Sequence, residues 1–148
     1  MQYGTGKAEG RNGTELMEQA DDKLIAEATK ARERAYAPYS NFKVGAAVAT
    51  DSGDIYIGCN VESASYGLTV CAERVAIWKG ISRGEKRFNK IAVVVDTDEL
   101  TPPCGVCRQI IWEFCGDVPV VLANLEGKTE TVQMSELLPR AFDSKFLK

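Results

Sequence analysis

The residues with the most chemistry to offer are Cys71-Ala72-Glu73-Arg74 and, further along, Pro103-Cys104-Gly105-Val106-Cys107-Arg108-Gln109. Three cysteine thiolates can hold one zinc ion tetrahedrally and leave the fourth position to a water. Glu73, two residues after the first cysteine, can move protons to and from that water. Cys104 and Cys107 are three apart, so at a helix start both sulfurs reach one side. Pro102-Pro103 bars a helix from running through and makes Cys104 a first-turn residue. Cys71 sits at the start of another predicted helix. Each helix start carries unpaired N–H groups and partial positive charge, which stabilise thiolates. Three thiolates and one divalent zinc sum to a single negative charge, and Arg74 and Arg108 are the nearby cations in sequence. Arg74 is the stronger candidate because it follows Glu73 directly. In mid-helix Cys71 and Glu73 would point apart, but at an N-terminus side chains lean towards the helix start and can meet beyond it.

Other chemistries share parts of this pattern. Cys104-Gly105-Val106-Cys107 alone also suits a redox dithiol. A purely structural zinc would want a fourth protein ligand, which Cys59 or Cys115 could supply, although neither has ligand spacing. Both read better as small buried hydrophobes. Neither alternative has a use for Glu73.

The elements that must position these residues follow from the patterning. Residues 1–13 are Gly-rich and polar and read as a disordered extension, leaving 14–148 as a single domain. From Thr14, Leu16, Met17, Ala20, Leu24, Ala28, Ala31 and Ala35 recur at helical spacing, and Pro38 is expected to end that helix. Val44–Thr50 and Ile55–Asn60 flank a turn at Asp51-Ser52-Gly53-Asp54 and read as a hairpin. Ser63–Val70 is a loop, and Cys71 to about Ser82 a short helix ending near Gly84. Lys90–Asp96 reads as a buried strand, Thr97–Pro103 as a loop and Cys104–Cys115 as a second short helix. Val118–Leu125 is a strand, Glu126-Gly127 a turn, and Glu130–Gln133 an edge strand. Ser135 is expected to cap a last short helix near Pro139. An opening hairpin followed by alternating helices and strands predicts a mixed sheet with helices packed on it.

Composition excludes more than it selects. The chain has 148 residues, a net charge of −3 and no histidine. Ser-His and Cys-His catalysis and every His-ligated metal site are thereby removed, so acid–base work falls to carboxylates, Cys, Lys or Tyr. No Lys/Arg stripe marks a nucleic-acid polymer as partner. No apolar run approaches a membrane span, and no secretory pattern opens the chain. Five cysteines without small-scaffold spacing argue against a disulfide framework, and a reducing cytoplasmic setting is expected.

The stretch from Leu24 to Phe142 resembles the small, homotetrameric type of cytidine deaminase with a three-cysteine zinc site. The resemblance rests on several motifs in one order. They are Ala37-Pro38-Tyr39-Ser40-Asn41-Phe42, Val44-Gly45-Ala46-Ala47, Gly58-Cys59-Asn60-Val61-Glu62, the two cysteine motifs, and Glu136-Leu137-Leu138-Pro139. Gly67-Leu68-Thr69-Val70 and the first twenty-odd residues lie outside the pattern. The resemblance implies a three-layer α/β sandwich with a mixed five-stranded sheet, and one zinc per chain held by Cys71, Cys104 and Cys107. It implies Glu73 as proton shuttle, Asn60 and Glu62 on the ribose hydroxyls, Phe42 against base or sugar, and the Ala72 N–H on the pyrimidine. Tyr66 and Phe142 would contact a neighbouring subunit's site. The expected activity is hydrolytic deamination of cytidine and deoxycytidine in pyrimidine salvage. A bulkier cytosine-nucleoside antibiotic is the rival substrate, and a non-catalytic zinc or redox module the rival of another class. Read without the resemblance, Asn60 and Glu62 share a face only while strand geometry holds, and a solvated loop is the better reading of them. Phe42 reads as core, and Tyr66 and Phe142 as packing.

Overall fold

The computed structural model describes residues 12–147. Five strands form one mixed sheet: β1 (Val44–Thr50), β2 (Ile55–Cys59), β3 (Phe88–Val95), β4 (Pro119–Ala123) and β5 (Thr129–Gln133). Their order is β2-β1-β3-β4-β5. The β3–β4 pair is parallel and the others antiparallel.

Alternation along the strands builds two cores, one on each face of the sheet. Ala47, Ala92, Val94, Val121 and Ala123 face Leu24 and Ala28 of helix α1 (Gly13–Arg32). Ala46, Val48, Ile91, Val93, Val120 and Leu122 face Ala76 and Ile77 of α2 (Ala72–Ser82) and Ile111 of α3 (Gly105–Cys115). A further short helix, α4 (Met134–Leu137), follows β5. The result is the expected three-layer α/β sandwich.

Two glycines let the helices lie close to the sheet. A Cβ on Gly45 would stand 1.9 Å from the Ala28 carbonyl oxygen, so α1 passes directly over β1. A Cβ on Gly58 would stand 2.5 Å from both Ala72 O and Ala76 N. The start of α2, which carries Cys71 and Glu73, is therefore seated on β2.

Several boundaries depart from the sequence reading. Asn12 caps α1, its side-chain oxygen accepting from Glu15 N–H at 2.8 Å. Asn12 and Gly13 thus belong to the helix start and not to an extension; residues 1–11 of that predicted extension lie outside the described residues. At its other end α1 stops at Arg32, well before Pro38. The chain is drawn away there because Tyr36 N–H donates to Asn60 O and Tyr36 O accepts from Glu62 N–H. Ser135 does not cap α4. Gln133 occupies the cap position without a side-chain bond, and the Asp117 carboxylate accepts the Ser135 N–H at 2.8 Å instead. The predicted loop at Ser63–Val70 holds a 3-10 turn at Tyr66–Leu68, and Val70 bridges Val61.

Candidate active site

Cys71 is the N-cap of α2 and Cys104 the N-cap of α3, while Cys107 lies in the first turn of α3. The two helix starts meet, and the three sulfurs all lie within 4.8 Å of one another. Sulfurs bound at zinc's usual distance around a tetrahedral ion stand about 3.8 Å apart, and Cys71 Sγ and Cys104 Sγ are 3.8 Å apart. The donor set is thus able to hold a metal ion, and the Cys71–Cys104 separation is that of a zinc site. Cys107 is buried, Cys71 half-buried and Cys104 exposed.

The electrostatics of the site favour a thiolate at Cys71. Hydrogen bonding from the Cys107 thiol, and then from Arg74 and Cys104, brings the Cys71 thiol down to about 5 against its burial. Donating to Cys71 and being buried push the Cys107 thiol the other way. A metal takes its sulfur ligands as thiolates, so its binding releases their protons. Arg74 Nη2 stands 3.6 Å from Cys71 Sγ and 3.3 Å from the Thr69 carbonyl. Its guanidinium lies 5.9 Å from the Trp78 ring centroid, and its Nε is buried without a hydrogen-bond partner. It is thus fixed as the cation at the sulfur cluster. Arg108 is engaged elsewhere, on the carbonyls of Pro103 and Leu137.

Glu73, the second residue of α2, is only 3% exposed. Burial raises its pKa, opposed in part by hydrogen bonding from its own backbone N–H. Ala72, fully buried, is the first residue of α2, and its N–H has no carbonyl to reach within the helix.

A cavity of about 260 Å³ opens on this cluster and is lined by Cys71, Glu73 and Cys104. Phe42, Val44, Val93, Val95 and Pro102 supply apolar walls suited to a flat heterocycle, and Asn60, Glu62, Ser40, Thr69 and Thr101 supply polar ones. A more open recess of about 410 Å³, lined by Tyr39, Ser40, Glu62, Tyr66 and Thr69, adjoins it. The chemistry lies in the smaller cavity, because only that one touches the sulfurs and Glu73.

The structure thus brings Phe42, Asn60, Glu62, Cys71, Glu73 and Cys104 around one space. Two of these side chains also hold the cavity wall together. Asn60 accepts from Val44 N–H at 2.9 Å and donates to Phe42 O at 2.7 Å. Glu62 accepts from the Tyr39 and Ser40 N–H groups at 2.9 and 3.1 Å and from the Ser40 hydroxyl. That hydroxyl bond holds the Glu62 carboxyl below its ordinary range. Tyr66 is 75% exposed and sits edge-on to Tyr39 at the rim, with ring centroids 5.9 Å apart. Phe142 is 57% exposed, stacks on Phe146 and lines neither space. Sequence reasoning passed over Ser40 and Thr69, which line both spaces; Ser40 was visible within the Ala37–Phe42 motif but carried no assigned role.

Comparison with known proteins supplies the family. The model of the cytidine and deoxycytidylate deaminase zinc-binding region matches residues 18–123. The chain belongs to this family. It is 52% identical to a cytidine deaminase of Sporosarcina psychrophila over 85% of this chain and 93% of the relative. It is 51% identical to one from Halalkalibacterium halodurans over 82% of this chain and 93% of the relative. The crystal structure of the Burkholderia pseudomallei cytidine deaminase is 48% identical and superposes with a TM-score of 0.80, covering 82% of this chain and 98% of that one. Zinc is the metal of this family's binding region, and the three-cysteine cluster is able to hold it.

Proposed function

We propose that the protein catalyses hydrolytic deamination of cytidine and deoxycytidine, giving uridine and deoxyuridine with release of ammonia. The observation that carries this reading is the buried Glu73 carboxyl, which shares a cavity with the sulfur donors. A structural zinc has no need of that carboxyl, and a redox dithiol has no need of a third sulfur. The relatives' names supply the substrate, and their likeness over most of the chain supports cytidine over a bulkier cytosine-nucleoside antibiotic.

Zinc held by Cys71, Cys104 and Cys107 would supply the Lewis acidity that lowers the pKa of an attacking water. Glu73 takes that water's proton as its oxygen adds to C4 of the base, and delivers the proton to N3. The carboxylate then takes the proton of the new C4 hydroxyl and passes it to the amine, so that the C4=O bond forms as the C4–N bond breaks and ammonia leaves. Burial raises the Glu73 pKa, which suits a group that must return protons as well as take them. The Ala72 N–H faces the pyrimidine and Phe42 packs on base or sugar. Asn60 uses one of its two amide hydrogens on Phe42 O, so the other is available to a ribose hydroxyl. Glu62 keeps a lone pair for the same purpose.

The same reading gives the chain from the α1 cap at Asn12 onward as one domain working as a homotetramer in cytoplasmic pyrimidine salvage, with Tyr66 and Phe142 reaching a neighbour's cavity. It is supported by the exposure of those two rings and by cysteines that are all unpaired. No helix among the described residues is long and apolar enough to cross a membrane.

The test is the loss of cytidine absorbance with the wild type and with Glu73→Gln. The variant is expected to keep its zinc and lose about 10²-fold to 10⁴-fold in turnover, or more if the carboxyl serves several steps. A chelator should abolish wild-type turnover, and added zinc should restore it. Turnover of Glu73→Gln within a few-fold of wild type would remove this residue from the mechanism.

A further inference from the structure

Cys104 is the exposed member of the sulfur cluster, and as N-cap of α3 its side chain makes no capping bond. Something other than burial must fix where its sulfur points. Arg108 is placed to do so. Its backbone N–H donates to the Cys104 carbonyl at 2.9 Å, as the helix requires. Its Nε donates to the Pro103 carbonyl at 2.8 Å. The peptide units on both sides of Cys104 are thereby tied to one residue. The guanidinium is itself anchored, because Nη1 donates to Leu137 O, at the end of α4, at 2.9 Å. The neighbouring Gln109 Nε2 donates to Phe142 O at 2.8 Å, so α3 grips the C-terminal segment at two carbonyls.

We infer that Arg108 is a positioning residue for the metal centre: it holds the Pro103–Cys104 peptide in the conformation that aims the Cys104 sulfur at the zinc, braced against the Leu137 carbonyl. The geometry explains why an arginine is used. A guanidinium is a rigid fork that reaches two carbonyls in different directions at once, whereas a lysine ammonium on a flexible stem holds one of them well. The backbone bond to Cys104 O survives any substitution, and only the side-chain half of the grip is lost. The predicted defect is therefore a loosened ligand and not an unfolded helix.

The experiment measures zinc release from the zinc-loaded protein to a chromophoric chelator at a temperature well below the melting transition. Partners that orient a metal ligand typically change metal affinity about 10-fold to 100-fold when removed. Arg108→Gln is expected to release zinc faster by roughly that factor, with Arg108→Lys between it and the wild type. Cobalt-loaded Arg108→Gln should show weakened or shifted sulfur-to-metal charge-transfer bands. A merely structural role would lower the melting temperature of zinc-free and zinc-loaded protein equally and leave release unchanged. If Arg108→Gln does not fold, Arg108→Lys alone decides. Release within two-fold of wild type and unaltered cobalt bands in a folded variant would overturn the inference. It rests on Cys104 as a zinc ligand, and the two failures are separable, since wild-type protein that binds no zinc would defeat the site reading itself.

Discussion

Asn60 and Glu62 illustrate how one polar side chain can serve both the fold and the cavity. Asn60 is 7% exposed and satisfies two backbone groups at the entry to β1. Asn60→Ala would leave Val44 N–H and Phe42 O without these partners, and an unpaired polar group costs up to about 1–3 kcal/mol where water cannot replace the partner. The expected result is a lower melting temperature together with poorer nucleoside use, checked by thermal denaturation and steady-state kinetics. A loss of nucleoside use without destabilisation would mean that the amide serves the substrate alone. Glu62 makes a prediction about pH. Its pKa is depressed chiefly by the Ser40 hydroxyl. The order it imposes on Tyr39-Ser40 is therefore present above the ordinary glutamate range and is lost as pH falls through the lower folded value. The Ser40 amide resonance should titrate with a midpoint below that of an unperturbed glutamate, and Glu62→Gln should remove the titration. A midpoint at the ordinary value would contradict the hydrogen bonding described.

At the scale of elements, the site depends on where two helix starts are held. Gly58 sets one of them. In Gly58→Ala the new methyl would meet the backbone of Ala72 and Ala76, which cannot rotate away as a side chain would. Overpacking of this kind costs about 1–3 kcal/mol, and here relief requires α2 to lift from β2. The displacement would carry Cys71 and Glu73 with it. Thermal denaturation and metal analysis should therefore show lower stability and less than one zinc per chain. A destabilised protein with full zinc content would show that α2 adjusts without moving its first turn. The other helix start is held through β3 and β4, whose parallel pairing fixes the ends of the crossover containing α3.

For the whole molecule, the exposed rings matter most. Phe142 stacks on Phe146 at 5.7 Å, and both are more than half exposed. In the proposed assembly Phe142 closes a neighbour's cavity. Phe142→Ala should then raise the KM for cytidine with zinc content unchanged, and specific activity should fall as dilution splits the assembly. Light scattering and kinetics across a dilution series check both, and a fully active monomer would defeat the idea.

The sequence alone determined the order of the helices and strands and the three cysteines with their carboxyl, because these depend on local periodicity and on spacing within single helix starts. Cys104 and Cys107 declare one side of a helix by being three apart, whereas the uninterrupted apolar run at Ile91–Val95 leaves it to the packing to show that Val93 and Val94 enter different cores. Tertiary structure decided what depends on partners far along the chain. Helix α1 ends at Arg32 because Tyr36 pairs with Asn60 and Glu62, which no local signal announces. The cap of α4 comes from Asp117 and not from Ser135, since a distant carboxylate reached the orphan amide first. Arg108 looked like a spare cation beside the sulfurs until the fold brought the Leu137 carbonyl to it. Backbone groups left open by one segment are satisfied by whichever polar side chain the packing delivers, and that delivery is a property of the folded chain.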